Sequence, residues 1–101
     1  MKTLIAALVA GSLFVAAGAH AGVVADRLGR QEARIDQGVA SGALTSGETQ
    51  RLEREQHVIS RTRTRALSDG AMTAPEARHL TREQDRASSD IYRLKHNART
   101  W

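Results

Sequence analysis

Glu53 and His57 stand four residues apart, and so do His79 and Glu83. On a helix that spacing puts both members of a pair on one face, where a carboxylate and an imidazole can supply two ligands to one ion. Two such helices folded as a hairpin would add Asp85 to Glu53 and His57. Glu53, His57, His79, Glu83 and Asp85 are therefore the candidate ligands for a divalent metal. Zinc chemistry weighs against them: structural zinc sites normally take four ligands, often thiolates, and the chain has no cysteine. Exposed Glu–His pairs along a helix are the simpler expectation, so no cofactor is expected.

Arg51, Arg54, Arg61 and Arg65 follow one another at helical steps of three, seven and four, with Val58 in the gap, and form a basic stripe beside the apolar face. Such a stripe can dock on an anionic surface, either an acidic segment of another protein or the charged envelope of a cell, or it can simply be a solvated face. Tyr92 lies near the chain's end and Trp101 closes it, with Arg93, Lys95 and Arg99 close by. An aromatic with basic neighbours suits partner docking when exposed and core packing when buried.

Catalysis has no support. The chain has no G-x-S-x-G elbow, no glycine-rich phosphate loop and no H-E-x-x-H pair, so a non-enzymatic protein is expected. Nucleic acid is not an expected partner either, since basic residues and aromatics do not interleave.

The elements that would position these groups are written in a repeat. SGALTSGETQRLEREQ at 41–56 and DGAMTAPEARHLTREQ at 69–84 align without a gap at a spacing of 28 residues. Each copy reads as a helix stop followed at once by a helix start. Gly42 and Gly70 suit the left-handed position that ends a helix. Thr45 and Thr73 then stand as N-caps, with Glu48 and Glu76 three residues on to complete capping boxes, and Pro75 occupies a first turn. The spacing predicts helices over about 24–40, 46–68 and 74–96, the first weakened by Gly29.

Mostly apolar residues fall at alternating steps of three and four and trace a seam: Val24, Leu28, Gln31, Ile35 in the first helix; Leu52, Gln56, Ile59, Arg63, Ala66 in the second; Ala77, Leu80, Gln84, Ala87, Ile91, Leu94, Ala98 and Trp101 in the third. Short connections force antiparallel neighbours, so the expected fold is all-α, a small antiparallel three-helix assembly built from a helix-turn-helix repeat. Folding the pattern back on itself sets Gln31, Gln56 and Gln84 at one level and predicts a polar layer across the seam.

The first residues read as a leader. Lys2 precedes an apolar run over 4–17, and Ala19-His20-Ala21 is a small-x-small cleavage signal. Residues 1–21 are expected to be removed, leaving one helical domain over 22–101 with no transmembrane anchor and a periplasmic location. Removal takes only Lys2 among the charges, leaving 14 basic and 11 acidic residues. Leu, Ile and Val number 13 in those 80 residues, below the roughly 20% at which disorder competes, although the patterning favours a fold. So thin a core without disulfides makes a homo-oligomer one route to completing it.

Two resemblances attach to these motifs. SDGAMTAPEA looks like the second half of an EF-hand loop, with Gly70 sixth and Glu76 twelfth, but the earlier ligand positions would fall on Arg65 and Leu67, which cannot hold calcium. Leu80-Thr81-Arg82-Glu83-Gln84 resembles the LTxxQ signature of periplasmic stress proteins of the Spy and CpxP type; Leu52–Gln56 departs from it at the threonine. That resemblance implies binding of unfolded clients or damping of an envelope-stress sensor. The whole helix–G-x-LT-x-x-E–helix layout is similar to short uncharacterised exported helical proteins of Gram-negative bacteria. The expectation is a small periplasmic protein that binds another macromolecule, with divalent-metal binding or sensing as the alternative.

Overall fold

The computed structural model describes the backbone of residues 2–97 and the side chains of residues 20–97. It contains three helices and, among the described residues, no strand: α1 (Lys2–Ala40), α2 (Ser46–Leu67) and α3 (Ala74–Lys95). The all-α three-helix expectation holds, and the ends of α2 and α3 fall within one residue of those read from the sequence. The start of α1 differs. The segment between residues 17 and 24 holds no proline, and its alanines carry the helix past Gly18 and Gly22, so α1 runs unbroken from Lys2. Among the described residues no helix is long and apolar enough to cross a membrane.

Both turns are built alike. Gly42 and Gly70 have φ of +77° and +96°, the left-handed region that a side chain disfavours. Each donates its N–H to the carbonyl three residues back, Gly42 to Val39 at 3.2 Å and Gly70 to Leu67 at 2.9 Å. Thr45 and Thr73 then cap α2 and α3, and both capping boxes are closed in both directions. In the second box Glu76 Oε1 accepts the Thr73 N–H at 2.9 Å. The glutamate that resembles a calcium ligand is thus occupied as a cap.

The repeat continues beyond its identical residues. Buried and half-buried positions recur every 28 residues through all three helices: Val24, Leu52, Leu80; Leu28, Gln56, Gln84; Gln31, Ile59, Ala87; Ile35, Arg63, Ile91; Gly38, Ala66, Leu94. Twenty-eight residues are four heptads, so the seam keeps its register across both turns. Ala98 and Trp101, the last expected seam residues, lie outside the described residues.

At the start of the α1–α2 turn the packing is tight. A Cβ on Gly38 would lie 2.6 Å from Leu44 Cδ1 and 2.8 Å from its Cγ. Leu44 can fold back onto α1 only because residue 38 has no side chain. One repeat later Ala66 and Met72 hold the same two places in one core cluster, where an unbranched side chain tolerates the added methyl.

The core has two apolar clusters. One gathers Val24, Ile59, Ala66, Met72, Ala77, Leu80 and Ala87; the other gathers Ile35, Leu44, Leu52 and Ile91. A glutamine from each helix enters the core: Gln31 and Gln56 stand between the two clusters on α1 and α2, and Gln84 stands within the first cluster on α3. Gln31, Gln56 and Gln84 are 1%, 4% and 1% exposed, so the polar layer read from the seam is present. Gln56 Nε2 donates to Gln31 Oε1 at 3.1 Å, Gln31 Nε2 to the Gln84 carbonyl at 2.8 Å, and Gln84 Nε2 to the Val24 carbonyl at 2.9 Å. Arg63 leaves the seam to donate to the Ala21 carbonyl at 3.3 Å.

Candidate functional site

Three grooves between helices carry the residues singled out in the sequence, and they divide those residues differently from the pattern alone. The α2–α3 groove has a volume of about 330 Å³ and is lined by Arg51, Arg54, Val58, Ile59 and Ala87, with Glu55, Glu83 and Arg86. Val58 is 54% exposed here. Arg86 comes from α3 and pairs with Glu83 one turn before it at 3.7 Å. Arg51 approaches Glu55 at 3.6 Å and Asp90 at 3.9 Å. Asp90 is also held by Arg93. Among the described residues Arg54, Arg61 and Arg65 have no carboxylate within 4.0 Å.

The stripe is therefore divided. Arg51 and Arg54 edge the α2–α3 groove, whereas Arg61 is exposed outside it. Arg65 lines a separate groove with Thr62, Ala66, Pro75, Glu76 and His79. Tyr92 is 61% exposed and stacks on His96 with ring centroids 4.1 Å apart. Trp101 lies outside the described residues.

The five candidate metal ligands do not converge. Glu53 and His57 line the α1–α2 groove. Asp85, expected beside them, is on the α1–α3 side and pairs with Arg27 at 2.7 Å. Glu83 faces the α2–α3 groove, and His79 lies beside Arg65. The hairpin reading failed for Asp85 because α1 packs on both other helices, and Arg27 takes the carboxylate first.

The α1–α2 groove holds what the sequence reading missed. Carboxylate oxygens of Glu32, Asp36 and Glu53 all lie within 4.8 Å of one another. The signal was available in part: Glu32 and Asp36 are acids four residues apart on one helix, a spacing that costs stability unless something offsets it. Burial pushes the Glu32 carboxyl up to about 7, assisted by the charge and hydrogen bond of Glu53 and by the charge of Asp36. A second carboxyl pair joins α2 to α3. Burial raises Glu55 to about 7, helped by its hydrogen bond to Asp90 and opposed by Arg51 and Arg93. So a carboxyl raised to about 7 lies on each flank of α2: Glu32 of α1, against Glu53, and Glu55 of α2 itself, against Asp90 of α3.

Compared with known proteins, the chain matches no family model, no curated protein and no solved structure.

Proposed function

We propose that this is a non-enzymatic, exported helical protein of the periplasm that acts in the envelope-stress response by binding an acidic segment of another protein in its α2–α3 groove. The observation that carries the reading is Val58, 54% exposed in a slot edged by Arg51, Arg54 and Arg86. A slot of about 330 Å³ accommodates an apolar side chain, and the arginines complement carboxylates on either side of it. A flat layer of lipid headgroups would use the charge but not the slot, which favours a protein segment over the envelope surface. Arg54 is free to bind because no carboxylate within 4.0 Å occupies it among the described residues. Export is supported by the leader read at residues 1–21 and the stress role by the LTREQ motif at 80–84.

Fluorescence anisotropy with a labelled peptide of alternating leucine and glutamate tests the reading. Arg54→Glu with Arg86→Glu is expected to abolish binding, and Arg61→Glu with Arg65→Glu to leave it within about twofold. Equal loss in both double variants would reduce the effect to net charge. Binding to vesicles of anionic phospholipid but not to the peptide would assign the stripe to a membrane surface and overturn the proposal.

A further inference from the structure

Among the described residues Glu55, Glu83, Asp85 and Asp90 each pair with an arginine, whereas Glu32, Asp36 and Glu53 crowd one another with no such partner. Among the described residues no Lys or Arg nitrogen lies within 4.0 Å of their oxygens, although those oxygens crowd to within 4.8 Å of each other. Three acidic groups from two helices are thus held together by the packing of α1 on α2, and Arg54, which lines the same groove, pairs with none of them within 4.0 Å.

A second observation comes from the same groove. Gln56 lines it beside Glu32 and Glu53, is 4% exposed, and gives its Nε2 to Gln31. Its Oε1 is buried without a hydrogen-bond partner, and no other described side chain has a buried polar atom in that state. An unpaired buried carbonyl oxygen costs about 1–3 kcal/mol unless a donor or a cation reaches it. His57 lines the groove as well, one helical turn beyond Glu53.

We propose that Glu32, Asp36 and Glu53 bind one hard divalent cation between α1 and α2, beside the groove that Gln56 lines with Glu32 and Glu53. One oxygen from each of the three carboxylates lies within 4.8 Å of the others, close enough for a single ion with Ca–O or Mn–O distances of about 2.1–2.4 Å to reach all three. The donor set is oxygen, which suits manganese, calcium or magnesium better than thiolate-seeking metals. Water fills the remaining positions on the open side of the groove. The ion would clamp the N-terminal half of α2 to α1, and Arg54 lies between this groove and the α2–α3 groove, lining both. None of Asp85, Glu83 and His79 takes part.

Manganese(II) is the probe, because binding quenches the six-line spin-resonance signal of the free aqueous ion. The full chain is expected to take up one equivalent at pH near 7.5. Glu53→Gln, and separately Glu32→Gln with Asp36→Asn, should weaken uptake at least about tenfold, while Asp85→Asn leaves it unchanged. Each variant removes a like charge at constant size, so metal-free thermal melts should show helicity and midpoint at or above the parent's. Competition by calcium and by magnesium then ranks the ions. No uptake at about 1 mM manganese, or equal uptake by the parent and both acidic-site variants, overturns the site.

Discussion

Gln31 Nε2 donates to the backbone carbonyl of Gln84 at 2.8 Å, tying α1 to α3 across 53 positions of sequence in the middle of the core. The same side chain accepts from Gln56 through Oε1, so one glutamine joins all three helices. Its replacement removes both bonds at once. Gln31→Ala is expected to cost about 2–4 kcal/mol in urea unfolding followed by circular dichroism, since it leaves the Gln56 amide buried with no partner and opens a cavity. Gln56→Met should stay within about 1 kcal/mol of the parent, because it removes an unpaired Oε1 while stranding only the Gln31 oxygen. Equal losses in the two variants would mean the layer acts by bulk and not by its bonds.

Two glycines of α1 should respond in opposite directions. At Gly29 an added Cβ meets nothing within 4 Å, so Gly29→Ala should stabilise by about 0.5–1 kcal/mol through helix propensity. Gly38→Ala drives a methyl to 2.6 Å from a Leu44 that is itself packed in the core, and is expected to cost about 1–3 kcal/mol net. Leu44→Met, the pairing that Ala66 and Met72 already use, should recover part of that loss. Melting of the three variants checks both signs.

Glu32 and Glu55 have folded pKa values of about 7 against an ordinary 4.5. A folded value above the unfolded one means the native state holds the proton more tightly. The stability these groups contribute is therefore complete below about pH 4.5 and lost as pH rises through about 7. Glu53 and Asp36 face the first group; Asp90, Arg51 and Arg93 face the second. The melting midpoint of the metal-free chain should fall from about pH 5 to about pH 8, and Glu32→Gln with Glu55→Gln should flatten that slope. A parent midpoint that rises across this interval would contradict it.

The two capping boxes are alike in geometry and unlike in setting. Glu48 is 6% exposed and its Oε2 accepts from Asn97 Nδ2 at 2.8 Å, which ties the end of α3 to the start of α2. The Thr73 box is exposed. Thr45→Ala is expected to cost about 1–2 kcal/mol and Thr73→Ala about 0.5–1 kcal/mol, read as the shift in urea midpoint at constant slope.

What could be read from the sequence was whatever depends on local rules. Thr45 with Glu48 and Gly70 with Thr73 announce their turns by chemistry that acts within six residues, and the turns form as written. The glutamine layer was legible because step-counting along a seam carries through a short turn. The ion pair of Arg27 with Asp85 and the meeting of Glu32 with Glu53 were not, because each depends on which flank α1 presents to α2 and α3. The seam fixes which face of α1 turns inward, but not the hand of the three-helix arrangement, and that hand decides which flank meets α2 and which meets α3. Gly38 lay between these cases: its role becomes visible once the repeat is carried back three residues to pair it with Ala66.

The 28-residue recurrence of the buried positions behaves like a wave whose phase survives two reversals of direction. A residue inserted inside α2 would advance everything after it by 100° and turn the later seam towards solvent. The same residue inserted between Gly42 and Leu44, or between Gly70 and Met72, alters only a loop, yet it too would delay every downstream crest relative to α1 while leaving α2 and α3 internally coherent. Point insertions scanned along the chain should therefore separate into two classes, phase errors within a helix that unfold it and phase offsets at a turn that the bundle absorbs.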